Sequence, residues 1–298
     1  MTEGENTMSC EHSAAERIES IIESLPYIKR YTGKIVVVKY GGNAMKDENL
    51  KSKVMLDLVL LWTIGVKVVL IHGGGPEIND MLGKVGKEPK FIDGLRVTDK
   101  ETIDIVQMVL AGKVNKTLVN YLEKLGAQAI GLSGIDGRLI EAVQKDEKLG
   151  YVGEITAIHT QPIFDLLEKG YIPVVSTIGC DREGNLYNIN GDTAAAKIAG
   201  ALRAERFILM TDINGVLRDV NDPSTLIPEI SKDEAEEYYK DGTISGGMIP
   251  KVKCCFDAID EGVKNVIIMN GTVPHSVLIE LLTNEGCGTM FSGGKDEH

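Results

Sequence analysis

The segments Ile35-Val36-Val37-Val38 and Val68-Val69-Leu70-Ile71 are aliphatic at every position, not at every second one. A strand with one wet face alternates polar and apolar residues, so strands apolar on both sides must be covered on both sides. That points to a mainly parallel sheet with helices above and below it. The rest of the chain agrees: expected strands at 35–39, 66–71, 127–132, 171–177, 205–210 and 264–269 alternate with expected helices near 48–64, 76–85, 99–125, 161–169, 191–202, 231–240, 247–261 and 274–283. Turn signals at Gly134-Ile135-Asp136-Gly137 and Lys148-Leu149-Gly150-Tyr151 suggest hairpins inserted between 133 and 160. The expected fold class is α/β, a three-layer α/β/α sandwich around a mainly parallel central sheet, with two lobes plus an N-terminal helix.

Residues 13–25 place Ile18, Ile21, Ile22 and Leu25 at helical spacing, and Pro26 is expected to end that helix. No Pro- or Ser-rich linker divides the chain beyond this helix. It is therefore read as an N-terminal extension over 1–30, one lobe over 31–204 and a second over 205–298, the lobes sharing a sheet. At 298 residues and 43% hydrophobic content the chain can bury such a core. A net charge of −12 argues against nucleic acid or an anionic membrane as partner, since both require a basic face. The cysteines Cys10, Cys180, Cys254, Cys255 and Cys287 form no C-x-x-C pair and no metal-ligand spacing, and read as reduced thiols. The opening MTEGENTMSCEHSAAERIES is too acidic for an organelle leader and lacks the apolar core of an export signal, so a cytoplasmic location is expected.

Chemistry concentrates where strands run into glycines. Ile71 drops into His72, then Gly73, Gly74, Gly75 and Pro76. Three residues without a Cβ let a loop wrap an acceptor-rich group with backbone N–H donors, so the candidates are a phosphate, a dinucleotide or a tetrahedral oxyanion. A phosphate-binding loop ending Gly-Lys-Ser/Thr is absent. The dinucleotide fingerprint fails because Ile78 stands where its third glycine would fall. The esterase reading lacks its Gly-x-Ser-x-Gly nucleophile elbow. What remains are lysines beside bare backbone: Lys39 leaves the first strand just before Gly41 and Gly42, and Lys251 follows Gly246-Gly247 in the opening turns of a helix, whose N-terminus favours anions.

The stretches VVVKYGGNAM, IHGGGPEIN, GLRVTD, YNINGDTAAAKIA, TDINGVL and GGMIPKV, in this order between Leu25 and Phe291, resemble the amino acid kinase family, and within it the arginine-sensitive branch that acts on N-acetyl-L-glutamate. The resemblance implies transfer of the γ-phosphoryl of ATP to a carboxylate, a reaction carried by positioning and positive charge and needing no nucleophilic side chain. It implies that Lys39 and Lys251 contact the transferring phosphoryl from opposite sides and that Asp192 orients both. Asp192 is also read as a candidate N-cap of the helix that comes after it. Arg96 would grip the substrate α-carboxylate, which suits a planar guanidinium, and Asn188 would bind the α-substituents. Gly73, Gly74 and Gly75 would turn N–H groups toward the γ-phosphoryl and the acceptor, with Gly42 doing so from the nucleotide side. Thr211, Asp212, Asn214, Gly215 and Met248 would line the nucleotide site. Mg²⁺ would accompany ATP, held by phosphates and water, with no metal cage in the chain. His72 reads as a packed strand-end histidine.

The same resemblance implies a homo-oligomer, a hexamer built as a trimer of dimers through the N-terminal helix, inhibited by L-arginine. Tyr27 would pack on the effector's aliphatic stem, Glu280 would pair with its guanidinium, and backbone near Gly286 and Gly288 would seat it. Arg218 is a weaker candidate for its carboxylate. Asn270-Gly271-Thr272 departs from the branch, where many members carry a basic residue after the glycine. Two other readings stay open: the same machinery acting on another acidic acceptor of the acetylaminoadipate type, and an effector-binding subunit with an inactive kinase site.

Overall fold

The computed structural model describes residues 13–293 apart from Lys46. Residues 1–12, with Cys10 and the start of the expected N-terminal extension, lie outside the described residues. Two helices lead, α1 (Ala14–Glu23) and α2 (Leu25–Tyr31). They are followed by β1 (Ile35–Tyr40), α3 (Glu48–Thr63), β2 (Lys67–His72) and α4 (Gly75–Lys84). A short hairpin, β3 (Phe91–Ile92) and β4 (Leu95–Arg96), precedes α5 (Lys100–Gln107), a π-helical segment (Met108–Val114) and α6 (Asn115–Lys124). Next come β5 (Ala129–Ser133), β6 (Ile140–Gln144), β7 (Gly153–Ile158), α7 (Gln161–Glu168), β8 (Ile172–Ser176), β9 (Ile178–Cys180) and β10 (Leu186–Asn188). The chain continues through α8 (Gly191–Ala201), β11 (Arg206–Thr211), β12 (Glu229–Ser231), α9 (Lys232–Lys240), α10 (Met248–Asp260), β13 (Asn265–Asn270), α11 (Ser276–Leu282) and β14 (Gly288–Ser292).

One eight-stranded sheet, in the order β12-β14-β13-β11-β1-β2-β8-β5, runs through the molecule. Its strands from β13 to β5 are mutually parallel, β14 joins β13 antiparallel, and β12 forms the edge beside β14. Successive residues feed two separate cores: Val36, Val38 and Tyr40 enter the layer of α2 to α6 and α11, whereas Val37, Val69 and Leu209 enter that of α7 to α10. This is why β1 and β2 are aliphatic throughout. The insertion expected between 133 and 160 forms the hairpin β6–β7, which joins the unforeseen pair β9–β10 in a second sheet, β10-β9-β6-β7, on the α8 side.

Three local expectations change. The first helix stops at Glu23, and Pro26 begins a second one, because a residue without an N–H is tolerated in a first turn. The rod expected over 99–125 contains the π segment, a wider turn inserted between two α-helical parts. β12 and β14 went unforeseen because Gly288-Thr289-Met290-Phe291-Ser292 has no aliphatic run. Ile18, Ile21, Ile22 and Leu25 form an exposed stripe, and no residue of α1 is buried.

The parallel order brings the carboxyl ends of β1, β2, β11 and β13 to one edge, with Lys39 level with Ile71 and Leu209. On the face carrying α3, fully buried Asp57 anchors α11. It accepts from His275 Nδ1 at 2.6 Å, and the N–H groups of Val277 and Leu278 face its carboxylate. Burial outweighs these partners and raises its pKa from 3.8 to about 6. A carboxyl whose pKa is higher folded than unfolded contributes its stability below the unfolded value and loses it as pH rises through the folded one. Urea melts should therefore show the stability of the wild-type chain relative to Asp57→Asn falling between about pH 4 and about pH 6. A flat difference across that window would contradict it.

Candidate active site

β1, α8 and α10 each contribute one charged side chain to the same point. Asn190 starts α8 by accepting from the N–H groups of Asp192 (3.0 Å) and Thr193 (3.1 Å). The cap is thus Asn190 and not Asp192, which leaves the Asp192 carboxylate to other partners. Its Oδ1 lies 2.8 Å from Lys39 Nζ and its Oδ2 lies 2.8 Å from Lys251 Nζ. Burial opposes the charge on Asp192, yet the two ammonium groups prevail and hold its pKa down at about 2. Asp192 is therefore ionised throughout the neutral range, and with two lysines about one carboxylate the cluster carries a formal charge of +1 inside an acidic chain. Cys254 Sγ contacts the Asp192 carbonyl at 3.2 Å, and burial pushes that thiol up to about 12, so it stays a neutral packing group. The four described cysteines are free.

Gly41 controls where Lys39 can go. A Cβ at Gly41 would stand 2.9 Å from Lys39 Nζ and 3.2 Å from its Cε, so the ammonium occupies the space a side chain would need. The Lys-Tyr-Gly-Gly stretch carries this signal, but spacing alone did not reveal which glycine faces the lysine. Gly42 opens the short turn Gly42–Met45 after β1.

Across the cleft, the glycines after β2 divide their labour. The N–H of Gly73 donates to the Tyr40 carbonyl at 3.2 Å, which ties β2's end to β1 and corrects the expectation that all three glycines present free donors. Gly74 and Gly75 enter the first turn of α4, where backbone donors have no partner within the helix. Arg96, at the end of β4, is 8% exposed; its Nη2 donates to the Gly75 carbonyl at 3.2 Å and its guanidinium stacks on Phe91 at 4.8 Å. Arg96 Nη1 is buried and has no partner. Asn188 Nδ2 donates to Thr98 Oγ1 at 3.2 Å, and that hydroxyl donates to the Arg96 carbonyl at 2.9 Å, so Thr98 links two of the expected substrate residues. Gly73, Gly74, Gly75, Arg96, Asn188 and Gly191 line a cavity of about 150 Å³. Asn190 also lines a wider cleft of about 460 Å³ that contains Asp192 and Lys251.

The expected nucleotide residues gather at the carboxyl ends of β11 and β13. Thr211 Oγ1 accepts from the Ile213 N–H at 3.0 Å, and Asn270 Nδ2 donates to Asn214 Oδ1 at 2.7 Å. Asp212 is exposed beside them, and Met248 is half-buried one turn before Lys251. Gly215 is buried at φ +133°, and a Cβ there would meet Thr289 Oγ1 at 2.5 Å, so only glycine fits where this loop packs on β14. Among the described residues, no group of three His, Cys, Asp or Glu is placed to hold a metal ion.

Away from this edge, Glu280 Oε2 accepts from the Cys287 N–H at 2.8 Å, close to Gly286, and α2 with half-buried Tyr27 packs on the same core as α11. Burial raises the Glu280 pKa against the pull of Arg206. Arg206, 5% exposed and bonded through Nε to the Tyr31 hydroxyl at 3.2 Å, escaped the sequence reading because it looks like an ordinary strand-start cation. Gly288 is packed against the Ile268 carbonyl within β14. Arg218 does not belong to this group. Its Nη2 donates to the Tyr238 hydroxyl of α9 at 3.1 Å, in the layer across the sheet from α11.

A cationic clamp beside a glycine-walled cavity, at the carboxyl edge of a parallel sheet, defines the class: an α/β enzyme that handles anions. The chain belongs to the amino acid kinase family, whose sequence model matches residues 34–270, and it is a phosphotransferase. It is 54% identical over 271 residues to an acetylglutamate kinase of Brachyspira hyodysenteriae, covering 90% of this chain and 94% of that one. It is 50% identical over 289 residues to an acetylglutamate kinase of Desulfitobacterium hafniense, covering 93% and 97%. Among solved structures it resembles N-acetylglutamate synthase from Neisseria gonorrhoeae. The complex with coenzyme A and N-acetyl-glutamate matches with TM-score 0.80 and 26% identity, and that with coenzyme A and L-arginine with 0.77 and 25%. These matches cover 94% and 93% of this chain but only 64% and 65% of the synthase.

Lys39→Ala and Lys251→Ala should each lower turnover by roughly 10²- to 10³-fold with an unchanged circular dichroism spectrum. Gly41→Ala, which displaces the Lys39 ammonium without removing it, should cost roughly 10²-fold. Near-normal steady-state turnover in any of the three would remove that residue from the site.

Proposed function

We propose that this enzyme transfers the γ-phosphoryl of ATP to the side-chain carboxylate of N-acetyl-L-glutamate, giving N-acetyl-L-glutamyl 5-phosphate. The observation that carries the reading is the buried, unpartnered Nη1 of Arg96, a residue that lines a small cavity adjoining the Lys39–Asp192–Lys251 cluster. A buried guanidinium donor requires an acceptor, and a carboxylate supplies one with matching geometry. The substrate's α-carboxylate takes that position, Asn188 holds its α-substituents, and its other carboxylate lies toward the glycines after β2.

The acceptor is already a carboxylate, so no base is needed to activate it. Asp192 is ionised with both oxygens engaged, and it acts by fixing two ammonium groups 2.8 Å away. Lys39 from one side and Lys251 from the other offset the repulsion between acceptor and polyphosphate, then follow the charge as it passes to the leaving diphosphate. Thr211, Asp212, Asn214 and Met248 bound the nucleotide site, with Gly42 at its phosphate end. When bound, Mg²⁺ would neutralise phosphate charge; with both Asp192 oxygens held by lysines, phosphate oxygens and water would be its ligands. The acceptor lobe spans 31–204 and the ATP lobe 205–298. Free buried thiols, and the lack among described residues of a helix long and apolar enough to cross a membrane, favour a cytoplasmic location.

We also propose a hexamer, a trimer of dimers, inhibited by L-arginine. The wholly exposed stripe of α1 supplies an apolar surface for association, and α2 with Tyr27 shares a core with the helix that carries Glu280. The arginine complex of the synthase neighbour supports an effector site on this fold.

With ATP and Mg²⁺, trapping the acyl phosphate as hydroxamate should reveal a strong preference for N-acetyl-L-glutamate over glutamate, aspartate and acetylaminoadipate. A preference for acetylaminoadipate would establish the alternative acceptor, and no product from any acceptor would favour an inactive subunit. Arg96→Lys should raise the acceptor KM far more than the ATP KM, and equal effects would move Arg96 out of the acceptor site. Deleting 1–26 should leave active dimers that have lost most arginine sensitivity, and Glu280→Ala should stay hexameric yet respond poorly. A wild-type enzyme indifferent to millimolar arginine, or a truncated chain that stays hexameric, would refute this regulation.

A further inference from the structure

His72 is wholly buried at the end of β2, where a solvated histidine would be ordinary and a buried one must be accounted for. Its Nδ1 lies 2.8 Å from the carbonyl oxygen of Gly73, and its Nε2 lies 3.1 Å from Asn115 Nδ2. The orientation of the Asn115 amide is dictated by two backbone carbonyls, Val174 at 2.8 Å and Leu132 at 3.1 Å, both of which need its nitrogen. The Gly73 carbonyl can only accept, so the ring proton sits on Nδ1 and is donated to it, which leaves Nε2 a lone pair facing an Asn115 nitrogen whose two hydrogens are shared among three acceptors. Asn115 is itself 1% exposed, opens α6 directly after the π segment, and lies so close to β5 that a Cβ on Gly131 would come within 1.9 Å of its Oδ1. The ring is therefore held in a built socket, with one nitrogen assigned to each partner.

The consequence lies on the other side of the peptide. The Gly73–Gly74 peptide is planar and trans, so its N–H points opposite to its carbonyl. With the Gly73 oxygen held inward by His72, the Gly74 N–H is turned away from that buried ring, on a residue that lines the cavity. In a run of three glycines, nothing intrinsic prevents that peptide from flipping. A flip would present a carbonyl oxygen, not a donor, to the anionic reactants. We propose that His72 is a positioning residue for phosphoryl transfer: backed by Asn115, it locks the Gly73–Gly74 peptide so that the Gly74 N–H donates to the charge developing between acceptor and γ-phosphoryl. This rests on the proposed reaction and adds to it the device that orients one donor. Burial also pulls the ring's pKa down to about 4, which keeps the neutral tautomer in place throughout the working range.

Two polar substitutions separate this role from packing. The amide of His72→Asn can reach the Gly73 carbonyl as Nδ1 does, but it abandons Asn115. The amide of His72→Gln reaches toward Asn115 and leaves Gly73 without its donor. His72→Gln should lose roughly 10²-fold in kcat, as for removal of one oxyanion donor, with little change in either KM, whereas the smaller His72→Asn should stay within about tenfold of wild type. A packing role alone gives the reverse order, because asparagine leaves the larger void. Equal losses, or a wild-type kcat in His72→Gln, would overturn the proposal. Nitrogen-15 NMR of histidine-labelled wild-type chain, which depends on neither variant folding, should show His72 as the Nδ1–H tautomer from about pH 5 to 9, and the opposite tautomer would also overturn it. Wild-type chain that yields no acyl phosphate would reject the reaction, while the NMR result would still decide the tautomer.

Discussion

Two ammonium groups sharing one carboxylate is the arrangement on which the rest of this molecule depends. Lys39, Asp192 and Lys251 come from three elements separated by most of the chain, and the open, mainly parallel sheet with α8 and α10 packed on one face brings both lysines to 2.8 Å from the carboxylate. Any two of the three would be a different object. A lone lysine pair would repel itself, and a single ion pair would be neutral with no surplus attraction for an anion. The trio is held together by the central carboxylate and still carries one positive charge, inside a protein whose overall charge of −12 repels anions. Local geometry therefore has to overcome the global field, which is why the donors sit at the bottom of a cleft where solvent screening is weak.

Around that trio the structure arranges groups that constrain the charged side chains and their neighbours. Asn190 caps α8 and so frees Asp192, Gly41 leaves room for the Lys39 side chain, and Thr98 connects Asn188 to the backbone of Arg96. These contacts keep the reacting groups from rotating away, and preorganisation of this kind avoids a reorganisation penalty during the reaction. The π segment before α6 belongs to the same category, since the residue it delivers, Asn115, is hydrogen-bonded to two carbonyls of the central sheet and to His72.

The opposite end of the molecule is organised differently. Asp57, His275, Glu280 and Arg206 are charged or polar groups buried in, or packed against, the core that includes α2, α3 and α11. Buried charges contribute little to stability compared with an apolar replacement. Their concentration beside α2, whose neighbour α1 has no buried residue, makes this face suited to a ligand or subunit that completes it.

The layer architecture was legible in the sequence because it rests on short-range regularities. Unbroken aliphatic runs, helical spacing and glycine-rich strand ends each depend on a few adjacent residues, so Ile35–Val38 and Val68–Ile71 announce a doubly covered sheet and Lys39-Tyr40-Gly41-Gly42 announces an anion site. β12 and β14 were not legible, since the edge strand β12 is short and β14, though paired on both sides, carries no aliphatic run. Nor was the division of roles within a motif. That Asn190 and not Asp192 caps the helix, that Gly73 spends its N–H on Tyr40, that Gly215 packs on β14, and that Arg218 stacks across the sheet from Glu280 all depend on which way a side chain or peptide faces once its neighbours are in place. The sequence by itself determined the secondary-structure order and the residue types the chemistry uses, because propensity and periodicity are local. Only the tertiary structure decided which donors remain unpaired, because hydrogen-bond partners are assigned by contacts between residues such as His72 and Asn115, 43 positions apart in the chain.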